Sequence, residues 1–330
     1  MKKYLIFGIS ALFFNIFVSF GQQDVLRFNA NGEFKIVQFT DLHLKTGFTE
    51  VVFNLVNEII ELEKPDLVIV TGDITMQDSV ENLIQQLGAI FAKTKTFWAT
   101  VYGNHDEHLI SRKNLTEIYH SLPYNLNSFI EGIKGESNYI LPLAGKENTT
   151  KALLYMFDSN TYNSMLGNVK GTYGWIEFSQ IEWYRKQSAA FTEKNNGTPL
   201  PALAFFHIPF EEYDHLWKND SSACIGSKNE AVCFPALNTG LFASMAECGD
   251  VMGTMVGHDH VNDYIGSYND IALAYGRFSG TKNTYGNLTA GARVLVLQED
   301  KREFTTWIRE KGGNIVYDCQ YKECLVKAMP

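Results

Sequence analysis

At 330 residues, with 45% hydrophobic and 13% aromatic content, the chain is long enough to bury a substantial α/β core and too apolar to be disordered. Its formal charge of -9 argues against nucleic-acid duplexes or anionic membranes as partners. The five cysteines (Cys224, Cys233, Cys248, Cys319 and Cys324) are too few for a disulfide-built scaffold and lack the paired CxxC spacing of structural zinc.

Lys2 and Lys3 precede an apolar run from Tyr4 to Phe20, and Ser19 and Gly21 suit a cleavage site. Residues 1–21 are therefore expected to be a signal peptide, which places the mature protein in the secreted or periplasmic fraction. The alternative is an uncleaved anchor, because the run is nearly long enough to cross a hydrocarbon core of roughly 30 Å. The remainder, 22–330, shows no repeat and no linker and is expected to form a single domain.

Phe34 to Asp41 reads as a strand entering a sheet. Val51, Val52, Leu55, Val56, Ile59 and Ile60 recur at helical spacing until Lys64-Pro65, and Asp66 to Thr71 is a short apolar strand ending at Gly72. The alternation repeats with a helix at Val80 to Phe91, a strand at Thr96 to Tyr102 and a helix at Leu115 to Leu122. Residues 137–158 read as an antiparallel hairpin, Ser179 to Phe191 as a helix and Ala202 to Phe206 as a strand. The stretch 210–235 has no clean periodicity and is expected to be a surface insertion near a site. A helix at Leu237 to Cys248 and strands at Val251 to Val256, Ile271 to Ala274, Ala292 to Leu297 and Glu303 to Ile308 complete a layered α/β pattern. In an oxidising compartment Cys224 with Cys233, and Cys319 with Cys324, would close small loops and leave Cys248 unpaired.

Five segments place ligand-type side chains just past strand ends: Thr40-Asp41-Leu42-His43, Thr71-Gly72-Asp73, Gly103-Asn104-His105-Asp106-Glu107, Phe206-His207-Ile208-Pro209 and Gly257-His258-Asp259-His260. Strand ends in open α/β sheets share one edge, where loops pool their side chains. In an extended segment residues i and i+2 face one way, so Asp41 with His43, and His258 with His260, each present two groups to one cavity. Gly72, Gly103 and Gly257 permit sharp turns. Carboxylate, imidazole and one amide, without thiolate, suit Fe, Mn or Zn. Two such ions need a bridging carboxylate, and Asp73, alone on its Gly-Asp turn, is the choice. Two divalent ions carry more positive charge than Asp41 and Asp73 cancel, so an acidic protein still attracts phosphate. Taken singly, His207 is more often a hydrogen-bonded core histidine and Gly-Asp a simple turn. The ordered set is what carries the reading.

These motifs, in this order, resemble the calcineurin-like metallophosphoesterase superfamily from about Phe34 to Leu297, and Gly257 to Gly266, Asn238 to Phe242 and Ala274 to Gly280 resemble its small purple-acid-phosphatase-like branch. The resemblance implies an α/β fold in the form of a layered α-β-β-α sandwich of two mixed sheets flanked by helices. It implies a metal centre of two divalent or mixed-valence ions (Fe, Mn or Zn), one held by Asp41, His43, Asp73 and His260, the other by Asp73, Asn104, His207 and His258. His105 would stabilise phosphoryl oxygens or protonate the leaving group, and Asp106 would orient it. The implied activity is hydrolysis of small phosphorylated substrates by in-line attack of metal-bound hydroxide, phosphomonoesters favoured. Phosphodiester or nucleotide hydrolysis, a decayed binding module and a membrane-held structural protein are the alternatives. Purple enzymes carry a tyrosine shortly after Gly-Asp, and Gly72-Asp73-Ile74-Thr75-Met76 has none, which puts a ferric-tyrosinate centre in doubt. Arg277 is either a substrate-phosphate contact or a structurally paired arginine. His108, His120 and His215 fit no motif, and Tyr213 and Trp217 form either a lid wall or a packed cluster.

Overall fold

The computed structural model describes residues 26–76, 79–163, 173–220, 224–281, 287–323 and 325. The expected signal peptide and Cys324 lie outside them.

The elements run β1 (Glu33–Phe39), α1 (Thr49–Glu63), β2 (Leu67–Thr71), α2 (Val80–Thr94), β3 (Phe97–Val101), α3 (Arg112–His120), β4 (Tyr139–Ala144), β5 (Thr150–Met156), α4 (Phe178–Lys194), β6 (Ala202–Phe205), α5 (Glu212–Asp220), α6 (Leu241–Cys248), β7 (Val251–Val256), β8 (Ile265–Tyr268), β9 (Ile271–Tyr275), β10 (Gly291–Gln298), β11 (Phe304–Glu310) and β12 (Ile315–Tyr321). Two six-stranded mixed sheets form, ordered β12-β11-β10-β1-β2-β3 and β4-β5-β6-β7-β9-β8. Strands β1, β2 and β3 are parallel to one another, as are β5, β6, β7 and β9.

The central strands read apolar throughout because both faces are covered, and their period of two sorts each side chain to a layer. Phe34 and Ile36 of β1, and Leu67 and Ile69 of β2, point into the core between the sheets, where they meet Leu203 and Phe205 of β6. Val37, Phe39, Val68 and Val70 point the other way, under α1, α2 and α3. Ala202, Ala204 and Phe206 likewise face Tyr184 of α4 and Met245 of α6. This is the α-β-β-α sandwich the sequence resemblance implied. One inward position of β1 is polar: the Gln38 amide donates to Thr71 Oγ1 (2.9 Å) and to the Val256 carbonyl of the other sheet (3.1 Å). That bond ties the sheets together at the edge where the motif loops emerge.

Several expectations need correction. Strands β8 and β12 were not foreseen: β8 is four residues long and carries Gly266 and Ser267, and β12 is an edge strand whose Ile315 is exposed. The stretch 210–235 is not all irregular, since α5 docks Tyr213 and Leu216 into the core. So few apolar residues on a short helix leave little periodic signal. Tyr213 is therefore no lid residue: its hydroxyl bonds Thr254, and Trp217 packs on Tyr264, making the aromatic cluster. Helix α6 begins after Gly240 rather than at Leu237, because Gly240 takes φ +86°. Cys233 keeps a free thiol, so the Cys224–Cys233 bridge is not made; Cys224 packs against Gly266 of β8, while the Cys233 amide donates to Asp259.

Arg277 is the structurally paired kind. Its buried guanidinium contacts buried Asp263 (2.7 Å) and Glu310 of β11 (3.3 Å) and donates to the Thr289 carbonyl (2.9 Å), joining the two sheets. Arg277→Ala strands the buried Asp263 carboxylate and is expected to cost about 3–5 kcal/mol of stability. Denaturant unfolding measures it, and an unchanged midpoint would contradict the pairing.

Candidate metal centre

All five motif loops leave the same edge of the sandwich, those after β1, β2 and β3 from one sheet and those after β6 and β7 from the other. They are stitched to one another by backbone bonds: Asp41 N to Gly72 O (3.1 Å), His43 N to Asp73 O (3.0 Å) and Gly257 N to His207 O (3.1 Å). Convergence does not come from extended backbone, as the i, i+2 argument supposed. Asp41, His43, Asp73 and His258 all take left-handed φ values (52°, 46°, 50° and 77°), so the chain kinks at each of these side chains. Such non-glycine conformations cost about 1–3 kcal/mol each and persist where the surroundings overdetermine them.

The glycines serve two purposes. Gly72 turns with φ +85°, whereas Gly103 and Gly257 allow close approach. A Cβ on Gly103 would lie 2.5 Å from the Asp73 nitrogen, and one on Gly257 would lie 2.7 Å from Asp41 Oδ2. No side chain fits between these loops.

Two groups of ligand atoms result, Asp41 with His43 and His260, and Asp73 with His207 and His258, the atoms of each lying within 4.8 Å of one another. Asp41 Oδ2 accepts from Thr40 Oγ1 (2.7 Å) and the His258 nitrogen (3.0 Å), while Oδ1 faces His260 Nε2 at 3.3 Å and His43 Nε2 at 3.7 Å. Asp73 Oδ1 accepts from the His105 nitrogen (2.8 Å). Its Oδ2 lies 3.3 Å from His207 Nε2 and 3.8 Å from His43 Nε2, so this one oxygen reaches both groups. His207 Nδ1 meets the Thr71 carbonyl at 2.7 Å, which fixes that nitrogen as the donor and leaves Nε2 for the centre. Asn104 Nδ2 donates to the Tyr162 hydroxyl (3.0 Å), and that bond aims Oδ1 inward.

Four buried atoms of this set make no hydrogen bond: Asp41 Oδ1, Asn104 Oδ1, His207 Nε2 and His258 Nε2. Leaving one buried polar atom unmade costs about 1–3 kcal/mol. Four buried acceptor-type atoms in and beside these two groups, with His43 Nε2 and His260 Nε2 only 3.1 Å apart, fit cations.

Protons fill that role when no cation is bound. Burial alone would raise the Asp41 pKa, but His260 and His43 outweigh it and hold the group well below the usual range. Asp73 is likewise depressed, burial being outweighed by His207 and His43. His207 resists burial and rises to about 10 through Asp73, Asp41 and the Thr71 carbonyl, whereas burial and the charge on His207 push His258 down to about 3.

His105 and Asp106 differ from expectation. Asp106 does not meet the His105 ring; its carboxylate accepts the backbone N–H groups of Asp73 (2.9 Å), Ile74 (2.8 Å), Thr75 (3.3 Å) and Gly103 (2.8 Å). It is a positioning residue that clamps two motif loops. The His105 ring faces His108, Nδ1 to Nδ1 at 3.4 Å, and its Nε2 lies 3.8 Å from Asp73 Oδ2. Sequence reasoning set His108 aside and passed over Tyr162, Tyr173 and Phe278. The Tyr173 ring meets His258 edge-on at 4.4 Å, and Phe278 lies 4.9 Å from His260 and 6.2 Å from His43. Aromatic residues in loops carry no spacing signal that would have singled them out. His120 and His215 lie outside the centre, His120 stacked on Phe129 and His215 beside Glu211.

The chain matches the model of the family described as calcineurin-like phosphoesterase over residues 34–262. It is 31% identical over 340 residues to Probable inactive purple acid phosphatase 29 of Arabidopsis thaliana, covering 91% of this chain and 86% of that one. It is 32% identical over 324 residues to Phosphatase DCR2 of Saccharomyces cerevisiae, covering 86% of this chain and 54% of the yeast protein. Among solved structures, a dimetal phosphatase from Danio rerio superposes with a TM-score of 0.62 at 12% identity, covering 87% of this chain and 98% of that one. A purple acid phosphatase, PPD1, from yellow lupin gives a TM-score of 0.51 at 13% identity, covering 89% and 55%. At these identities the two structures speak for the fold.

Because His207 carries a proton up to about pH 10 in the cation-free protein, a divalent ion must displace it at pH 7. Adding metal to the stripped protein in weak buffer is expected to release about one or more protons per chain. Elemental analysis should find one ion fewer in His207→Ala and in His260→Ala, and both weakened in Asp73→Ala; an Asp73→Ala variant that holds both ions tightly would sink the bridging role.

Proposed function

The chain belongs to the calcineurin-like phosphoesterase family, and on that premise we propose that it is an exported phosphomonoesterase acting on small phosphate esters at a two-ion centre. The observation that carries this reading is the set of four buried, unsatisfied acceptor-type atoms on the loops that meet at one edge of the two sheets. Asp41, His43, Asp73 and His260 would hold one ion, and Asp73, Asn104, His207 and His258 the other. The donor set suits Mn, Zn or mixed Fe, and no tyrosine follows Asp73 within Ile74-Thr75-Met76 to make a ferric-tyrosinate. Bound there, the pair would supply an acidified water as nucleophile and positive charge for the phosphoryl oxygens.

The protein's own residues do the rest. Asp41 and Asp73 set the charge of the site and keep it fixed, since neither can swing on its clamped loop. Asp106 keeps the loops after β2 and β3 at constant separation through its four backbone contacts. His105 stands at the mouth. Burial lowers its pKa against the pull of Asp73, so the ring is neutral at pH 7, and when protonated it is a stronger acid than a free imidazole. As the imidazolium, the ring would donate its Nε2 proton to a phosphoryl oxygen or to the departing alkoxide and be left as neutral imidazole, with Nδ1 facing His108.

The complete candidate ligand set supports turnover despite the word inactive in the plant relative's name, and agrees with the yeast relative's name, a phosphatase. Export rests on Lys2, Lys3 and the apolar run that follows; among the described residues no helix is long and apolar enough to cross a membrane.

Metal-loaded protein should hydrolyse p-nitrophenyl phosphate faster than its bis-ester. His105→Ala should keep both ions and lose about 10²–10⁴-fold in kcat. Preference for the bis-ester would turn the reading to a diesterase, and two bound ions with no turnover of either would mark a decayed binding module.

A further inference from the structure

The centre is closed on most sides. Asp41, Asp73, Asn104 and His207 are buried, and Phe278 covers His43 and His260. Among the described residues the side left open is formed by His105, exposed His108 and Tyr162, which is 47% exposed. The rings of His108 and Tyr162 are nearly parallel (6.3 Å, 12°), and Tyr162 stacks on Tyr173 (5.8 Å, 29°). This aromatic strip is bonded to the centre itself, because Asn104 Nδ2 donates to the Tyr162 hydroxyl and the Thr161 hydroxyl donates to the Asn104 carbonyl (3.2 Å).

Beyond Tyr162 lies a cleft of about 590 Å³ between the first turn of α3, residues 133–136 and the segments around 160–163 and 174–177. That volume falls within the roughly 300–1,000 Å³ of small-molecule sites. Among the described residues its charged walls are balanced: Arg112, Lys113 and Lys134 against Glu107, Glu136 and Glu177. Arg112 is already committed to Glu107 (2.7 Å), Asp158 and the Gly103 carbonyl (3.0 Å). Among the described residues the cleft therefore offers ring faces and hydrogen-bonding groups but no net positive charge for a second anion.

We propose that this cleft is the leaving-group subsite and that it takes an uncharged, ring-bearing alcohol, so that the preferred substrates are monoesters of nucleosides or sugars rather than polyphosphates. The proposal rests on the phosphomonoesterase reading above. With the phosphoryl group held between Asp73, Asn104 and His105, the remainder of the ester departs by the open side and passes over Tyr162. A base or a sugar ring laid on that face gains contact without ion pairing. A polyphosphate leaving group would instead bring its charge beside Glu107, Glu136 and Glu177 with too little to offset it.

The test compares kcat/KM for a nucleoside 5′-monophosphate, a hexose 6-phosphate, methyl phosphate and a nucleoside triphosphate. Wild type should favour one or both ring-bearing monoesters over the triphosphate by about tenfold or more, and the better of the two identifies the source of the ring. Tyr162→Ala should lower the ratio of ring-bearing to methyl ester about tenfold. Glu136→Lys should raise the ratio of triphosphate to monophosphate, and Lys134→Glu should lower it. Saturation-transfer NMR with the free nucleoside and the free hexose reads the cleft without turnover, and the signal should fall in Tyr162→Ala. Ratios unmoved in all three variants, or ligand contacts indifferent to Tyr162→Ala, overturn the cleft assignment. Wild type that turns over none of the esters overturns the phosphatase reading instead, and the NMR measurement then still decides the cleft.

Discussion

Two carboxylates are buried side by side where the sheets meet, and the surrounding structure answers to their charge. Asp41 and Asp73 are each only 1% exposed, and so far from solvent they must be matched by positive charge. His207 and His260, whose pKa values are raised by these carboxylates, supply a partial match as protons, and two cations would supply a better one. Asp41 and Asp73 depressed together with His207 elevated is the signature of a site built around charge that the apo chain can only approximate.

Holding those groups together costs conformational energy that other contacts must offset. Left-handed backbone at Asp41, His43, Asp73 and His258 and the unsatisfied acceptors beside them are local penalties. The compensation sits just behind them. Gln38 crosses from one sheet to the other, Asp106 gathers four backbone N–H groups, and Asp259, between the two histidines of its loop, is gripped by the Tyr275 hydroxyl (2.5 Å) and the Cys233 amide. Farther back, Arg277 with Asp263 and Glu310 pins the strand that leads out of this region. Rigid cores on both faces of both sheets make the strained edge affordable. Function is thus placed at the rim and stability in the layers, as is usual when loops carry the chemistry.

Much of the layer order could be read from the chain because it depends on local patterns. Continuous apolar strands such as Leu67–Thr71, and helical spacing from Val52 to Ile60, report burial on two faces or on one. Where the local pattern was weak, reading failed: α5 buries little more than Tyr213 and Leu216, β8 is four residues long, and β12 shows a largely polar edge. The Cys224–Cys233 bridge failed for another reason. Nearness in sequence says nothing of direction, and these two side chains are drawn to β8 and to the histidine loop respectively.

By itself, the sequence determined which chemical groups were available and in what order: two lone carboxylates, an amide and four imidazoles, each behind an apolar strand. Residue type and strand periodicity are local properties, so they survive without coordinates. Only the tertiary structure decided how those groups meet. It brought loops from two different sheets to one edge, made the approach through left-handed kinks and through Cβ-free contacts at Gly103 and Gly257, turned Asp106 away from His105 and gave Arg277 to Asp263. It also decided which side the described residues leave open, past His108 and Tyr162. Those outcomes depend on distances between segments far apart in the chain, which no spacing along it encodes.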